Sequence, residues 1–228
     1  DIASSSCIVM LDVVNFFPSI SRKTIRELLS FHGHTKEVAD HLSGVYTIKH
    51  GSRRFLPQGA PWSPLLANRV ASNLIDPLVR ETISEPWGYM RYCDNLILWL
   101  KDEGLDVNPW RLAKEVMDVV HKRTNFRLHK VQVKRKCHKQ KVLGLVVNEV
   151  VNVPRRYYDR VKAILHNIKV TGINESLDRW NLLNRTSIDK LSFERIVRGM
   201  ALYTINNTSS TARASKIQQL LESITWSC

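Results

Sequence analysis

Long apolar runs are missing from this sequence. Nothing in its 228 residues approaches the ~20 consecutive apolar positions of a membrane-spanning helix, so no membrane partner is expected. The start has no charged-then-apolar leader pattern. Paired cysteines are missing as well. Cys7, Cys93, Cys137 and Cys228 stand far apart with no C-x-x-C, and Lys136-Cys137-His138-Lys139 is too compressed to supply several zinc ligands. That excludes a zinc ribbon or disulfide scaffold and leaves free thiols in a reducing cytoplasm as the expectation. There is no internal repeat and no low-complexity tract. Acids are absent from His121 to Lys141, "HKRTNFRLHKVQVKRKCHKQK", which holds nine Lys or Arg.

What is present reads as an ordinary soluble globular chain, 43% apolar and 24% charged, with a net charge of +13. The acid-free run is interleaved with Phe126, Leu128, Val131 and Val133. A solvated basic face is the plain reading of such a run. Its density suits a surface that follows a phosphate backbone. Nucleic acid is favoured over an anionic membrane because the run lacks an amphipathic helical pattern.

Periodicity gives the architecture. "CIVMLDV", Cys7 to Val13, reads as a buried strand. Ser21 and Thr35 read as N-caps of two helices, and "VYTIKHGSRRFLPQG" as a hairpin turning at His50-Gly51. Ser63-Pro64 reads as a cap followed by proline, opening a long helix bent at Pro77. Two strands flank Asp94-Asn95, and Asn108-Pro109 opens a further helix. "KVLGLVVNEVVNVP" reads as a hairpin turning at Asn148-Glu149. After Pro154 the strand signals fade into helical segments. The order predicts an α+β fold with an appended helical domain.

Two acids stand where chemistry is plausible. Asp12 ends the first strand and Asp94 sits at a strand–turn–strand. On adjacent strands they converge and can bind a divalent cation through oxygen; otherwise both are ordinary turn aspartates. In "LPQGAPWSP", Leu56 to Pro64, Gly59 permits close backbone approach to a ligand, while Pro57, Pro61 and Pro64 stiffen the loop ahead of a helix N-terminus.

"LDVVNFFPSI", "LPQGAPWSPLLAN" and "YCDN", in that order, together resemble the reverse transcriptases of bacterial retroelements, most closely the retron type and its defence-associated relatives. "GLVVNEVVNVPRRY", Gly144 to Tyr157, resembles the hairpin that follows their palm. The resemblance runs from about residue 5 to 160 and more loosely through the helical tail. It implies a polymerase right hand: an antiparallel palm sheet with helices against it over 1–154, partial fingers within 21–62, and a helical thumb over 155–228.

The resemblance also implies roles. The activity is RNA-directed DNA polymerisation with two Mg2+ ions, or Mn2+ in their place, on an RNA template with a DNA or RNA primer and deoxynucleoside triphosphates. A structured non-coding RNA is a further expected partner. Asp12 and Asp94 become metal-binding catalytic carboxylates with Asn95 beside them, and Val13 offers its carbonyl to the metal. Phe17 falls where a bulky residue opposes a ribose 2′-hydroxyl. Gln58 and Gly59 line the nucleotide and template side, Tyr92 lies beside the primer end, and 145–153 forms the primer grip.

The pattern is broken in several places. Asn95 replaces the second acid of the family's pair, which removes a negative charge beside two dications and implies weakened catalysis. Trp62 stands where a small residue is usual, and Leu143 replaces Thr or Ser. The lysine that protonates pyrophosphate is Lys130 or Lys134, while Gln132 occupies the best-aligned position. Asp12 comes so early that the family's upstream triphosphate-binding region is expected in a longer natural protein. Two further readings are a catalytically weak RNA-binding scaffold and, opposed by Phe17, an RNA-directed RNA polymerase.

Overall fold

The computed structural model describes residues 2–101 and 108–226, so Cys228 lies outside the described residues. By internal contacts the chain divides into a sheet unit, essentially Ser4–His138, and a helical unit, essentially Lys139–Cys228.

The sheet unit begins with β1 (Cys7–Val13), whose alternation sends Cys7, Val9, Leu11 and Val13 into the core and leaves Met10 and Asp12 on the other face. α1 (Arg22–Phe31) and α2 (Lys36–Tyr46) follow. Ser21 Oγ accepts from the Thr24 N–H at 3.1 Å and Thr35 Oγ1 from the Val38 N–H at 3.4 Å, the expected caps. β2 (Ile48–His50) and β3 (Arg53–Phe55) form a small separate ladder around Gly51-Ser52.

The long helix expected after Ser63 is two helices, α3 (Ser63–Leu74) and α4 (Asp76–Thr82), broken at Ile75. Pro77 has no N–H to donate back, and its ring opposes the carbonyl four residues earlier. Ser63 is not the cap. It is already the first helical residue, its N–H donating to Ala60 O at 3.1 Å, and the cap position one residue earlier is Trp62, which makes no side-chain cap hydrogen bond. Ser63 Oγ is buried with no hydrogen-bond partner among the described residues.

β4 (Trp87–Tyr92) and β5 (Asn95–Leu100) form a hairpin, and α5 (Pro109–Arg123) is capped by Asn108 Oδ1, which accepts from the Trp110 and Arg111 N–H groups. β6 (Leu128–Arg135) completes an antiparallel sheet in the order β4-β5-β1-β6. Ile25 and Leu28 of α1, Val70 of α3, Val79 of α4, and Val116 and Val120 of α5 share one core with the inward residues of the sheet, which α4 and α5 contact directly. On the opposite face Gly88 leaves the space that the Trp99 indole fills, so a Cβ there would overlap the ring.

The sheet has one irregularity that matters for the site. Met10 pairs with Gln132, but Asp12 pairs with His129, so β6 carries one residue more than β1 over this span. The bulge is accommodated by Lys130, whose φ is 53°.

In the helical unit β7 (Lys141–Val142) and β8 (Leu145–Val146) turn at Leu143-Gly144, where both φ values are positive. The turn expected at Asn148-Glu149 is therefore not the first reversal. The chain reverses again between Val146 and Asn152, which exchange hydrogen bonds of 2.8 and 2.9 Å, while Asn148 Oδ1 accepts from the Gln140 N–H. α6 (Arg155–Thr171), α7 (Ile173–Asn184), α8 (Lys190–Asn206) and α9 (Thr211–Glu222) follow. Val161, Leu165 and Ile168, then Phe193, Val197 and Ala201, then Ile217 and Leu220, recur at helical spacing and meet in a second core. Cys7, Cys93 and Cys137 are free thiols, and no helix among the described residues is long and apolar enough to cross a membrane.

Candidate active site

Register alone brings the two acids together. Asp12 pairs directly with Asn95, and the Val13 N–H donates to Asp94 O at 2.9 Å. Asp94 is the second residue of the two-residue turn between β4 and β5, and its side chain lines the same cavity as that of Asp12. That cavity, about 330 Å3, is also lined by Val13, Phe17, Gln58 and Lys130. Of the sequence-predicted residues, these six meet at one place. Gly59, Tyr92 and Asn95 do not line it. Tyr92 is 63% exposed at the strand end, and Gly59 has φ 92°, a backbone need in the adjoining loop.

The two phenylalanines divide as their positions require. Phe16 is buried against Phe126, with ring centroids 6.1 Å apart, whereas Phe17 is partly exposed at the cavity.

Asn95 does not offer its side chain as a simple replacement ligand. Its Nδ2 donates to Asp94 Oδ1 at 3.0 Å, which holds that carboxylate by one oxygen. Lys130 Nζ lies 3.5 Å from Asp12 Oδ2, so two carboxylates and one ammonium leave a single net negative charge at this point. His129 Nδ1 is 3.1 Å from Asp12 O. Oxygen donors of this kind suit a hard divalent cation. Yet no group of three or more His, Cys, Asp or Glu side chains able to hold a metal exists among the described residues. The donor set fits such a cation in kind, with less charge than a three-carboxylate site.

Sequence reasoning missed the residues behind the turn. Arg91 reaches from β4 to Asp76 at the start of α4, with Nε and Nη2 donating to the two carboxylate oxygens at 2.7 and 2.9 Å. Its Nη1 donates to Asn68 Oδ1 at 2.9 Å and to Cys93 O at 3.1 Å. Tyr89 Oη donates to Asp76 Oδ1 at 2.7 Å. Burial and the neighbouring Asp76 charge push the Tyr89 phenol well above its ordinary range, which keeps it a donor. Burial is the largest single influence and opposes the Arg91 charge, but the Asp76 hydrogen bonds and charge, with smaller contributions from Tyr89 and Cys93, together outweigh it and keep Arg91 protonated. The available signal was an arginine inside an otherwise apolar and aromatic strand, together with an aspartate beside a helix-breaking proline.

A four-stranded antiparallel sheet with helices packed on one face has the form of a polymerase palm. The chain is similar to the telomerase of Candida albicans solved with a fragment of telomeric RNA, at 9% identity and a TM-score of 0.51 over 95% of this chain and 46% of that one, a likeness of fold alone. No family model matches the chain. It is 30% identical over 192 residues to the retron Mx162 reverse transcriptase of Myxococcus xanthus, covering 71% of this chain and 39% of that protein. It is 27% identical over 199 residues to the retron Ec86 reverse transcriptase of Escherichia coli, covering 83% and 58%. Through these relatives the chain is similar to retron-type reverse transcriptases, at 27–30% identity over 70–83% of its length. It spans between 39% and 58% of the length of these two relatives.

Proposed function

We propose that this chain is the palm and thumb portion of an RNA-directed DNA polymerase, with the palm and partial fingers over 1–154 and the thumb over 155–228. The observation that supports it is the β1–β5 register, which sets Asp12 beside the Asp94 turn at one cavity. Asp12, Asp94 and the Val13 carbonyl are the groups that would hold magnesium, or manganese in its place. Bound there, the cation pair supplies charge stabilisation for nucleotidyl transfer to a primer hydroxyl. The chain's own residues do the rest. Asn95 fixes one oxygen of Asp94, Phe17 presents a bulky wall toward the sugar of an incoming deoxynucleotide, and Gln58 borders the same space. Lys130 balances Asp12 until another anion draws it away.

Primer extension on an RNA template, with deoxynucleotides and magnesium and the longest natural form of the protein, tests this reading. The expected result is weak extension by the wild type, a rise with Asn95→Asp, and loss with Asp12→Asn. Absence of product from both the wild type and Asn95→Asp would overturn it.

A second reading has its own support. The amide at Asn95 and the ammonium at Lys130 both lower the negative charge at the site, as expected of an RNA-binding scaffold with little or no catalysis. Steeply salt-dependent RNA binding without magnesium-dependent incorporation would favour it.

A further inference from the structure

The Cys93–Asp94 turn is strained and needs holding. Tyr92 pairs with Asn95, so only two residues reverse the chain, and the first of them, Cys93, has φ 55°. Glycine is the residue suited to that conformation, and a side chain persists there only where surrounding contacts enforce it. Asp94 is the next residue, so any relaxation at Cys93 re-aims the carboxylate. On the far side the Val13 N–H holds Asp94 O. On the near side the contact is made by Arg91.

The Arg91 side chain is only 4% exposed, and its guanidinium makes five hydrogen bonds. Two form a fork on Asp76, two go to the side chain and the backbone carbonyl of Asn68, and one goes to Cys93 O. Asn68 belongs to α3 and Asp76 to α4, so one planar group joins both helices to the carbonyl that precedes Asp94. A buried ion pair adds little net stability compared with an apolar replacement, so its effect here lies in geometry. Lysine cannot take its place, because a single ammonium has neither the fork nor the reach to three separate partners.

We propose that Arg91 is a positioning residue, which sets the Cys93–Asp94 turn and hence the direction of the Asp94 carboxylate by tying Cys93 O to α3 and α4. The proposal rests on Asp94 being a metal ligand, as in the proposed function, but its test does not depend on polymerisation.

The test is amide hydrogen exchange on the full chain carrying Arg91→Lys, with Asn68→Ala as a second variant that removes one arm of the network and spares the ion pair. Exchange at Val13 and across Cys93–Asn95 should accelerate about 10-fold or more in Arg91→Lys and less in Asn68→Ala, while Val9 and Leu98 keep their protection. The Mn2+ dissociation constant should rise by about 10- to 100-fold in Arg91→Lys, the usual effect of losing a group that orients a ligand. Unchanged exchange at the turn in both variants would overturn the proposal. So would an equal acceleration at Val9 and Leu98, which marks general loss of stability. A local change at the turn in a protein that extends no primer would leave the positioning role standing and remove the polymerase reading.

Discussion

Among the described residues of the sheet unit, non-glycine residues with positive φ gather at the cavity: Asn15 and Lys130 line it, and Cys93 precedes Asp94, with Ser4 alone elsewhere. In the helical unit the two such residues among those described, Leu143 and Arg185, close a hairpin turn and end α7, where left-handed backbone is routine. The charged groups divide the same way. Arg155–Asp159 and Arg179–Glu175 are exposed pairs on helix surfaces, worth a few tenths of a kcal/mol each (about 0.3–0.5). Arg91–Asp76 is largely buried and tied to the turn that carries an acid. One unit is held by its apolar core with ordinary turns. The other carries strain where chemistry is expected.

If that contrast is right, damage to the helical core should cost stability and leave cation binding alone. Phe193→Ala should lose about 3–5 kcal/mol in denaturant unfolding followed by helical circular dichroism. Mn2+ affinity, measured below the transition, should stay that of the wild type, and a parallel fall would break the comparison. Gly88→Ala sharpens it from the other side. The new methyl meets the Trp99 indole and should cost about 1–3 kcal/mol, read in the same unfolding experiment.

Lys130→Met should raise Mn2+ affinity by about 2- to 5-fold, the scale of an exposed ion pair of up to ~1 kcal/mol, with no measurable change in unfolding. A lower affinity would mean that Lys130 does not compete with the cation. The smallest effect belongs to Asp189, the N-cap of α8. Hydrogen bonds from Ser192 hold its carboxyl below the usual carboxylate range. A depressed native pKa stabilises above the unfolded value and is lost as pH falls through the native one. Thermal unfolding of Asp189→Asn should therefore sit slightly below wild type at neutral pH and converge with it on acidification.

Much of the fold was legible because it follows from periodicity. The bounds of β1, the caps at Ser21, Thr35 and Asn108, and the helices after Pro154 all come from patterns within one turn or one strand. Errors arose where a neighbour decides. Ser63 looks like a cap but is drawn inside the helix by Ala60, and the reversal at Leu143-Gly144 had no turn dipeptide strong enough to outweigh Asn148-Glu149. Asp12 and Asp94 are paired in the sequence only through the resemblance of their motifs to the retron-type family, because each alone reads as an ordinary turn aspartate. The Lys130 contact could not, since it depends on a bulge between strands far apart in the chain. Nor could the Arg91 network, whose partners Asn68 and Asp76 are brought near only by the break at Ile75.

The additional residue in β6 has a bearing on how this scaffold can be altered. Substituting Lys130 changes a charge; deleting it changes the count, allowing β6 to run evenly beside β1 and withdrawing the ammonium from Asp12 in the same step. For anyone recasting the site, segment length at this point is a separate handle from side-chain identity, and a gap of a single codon would reach both backbone and charge.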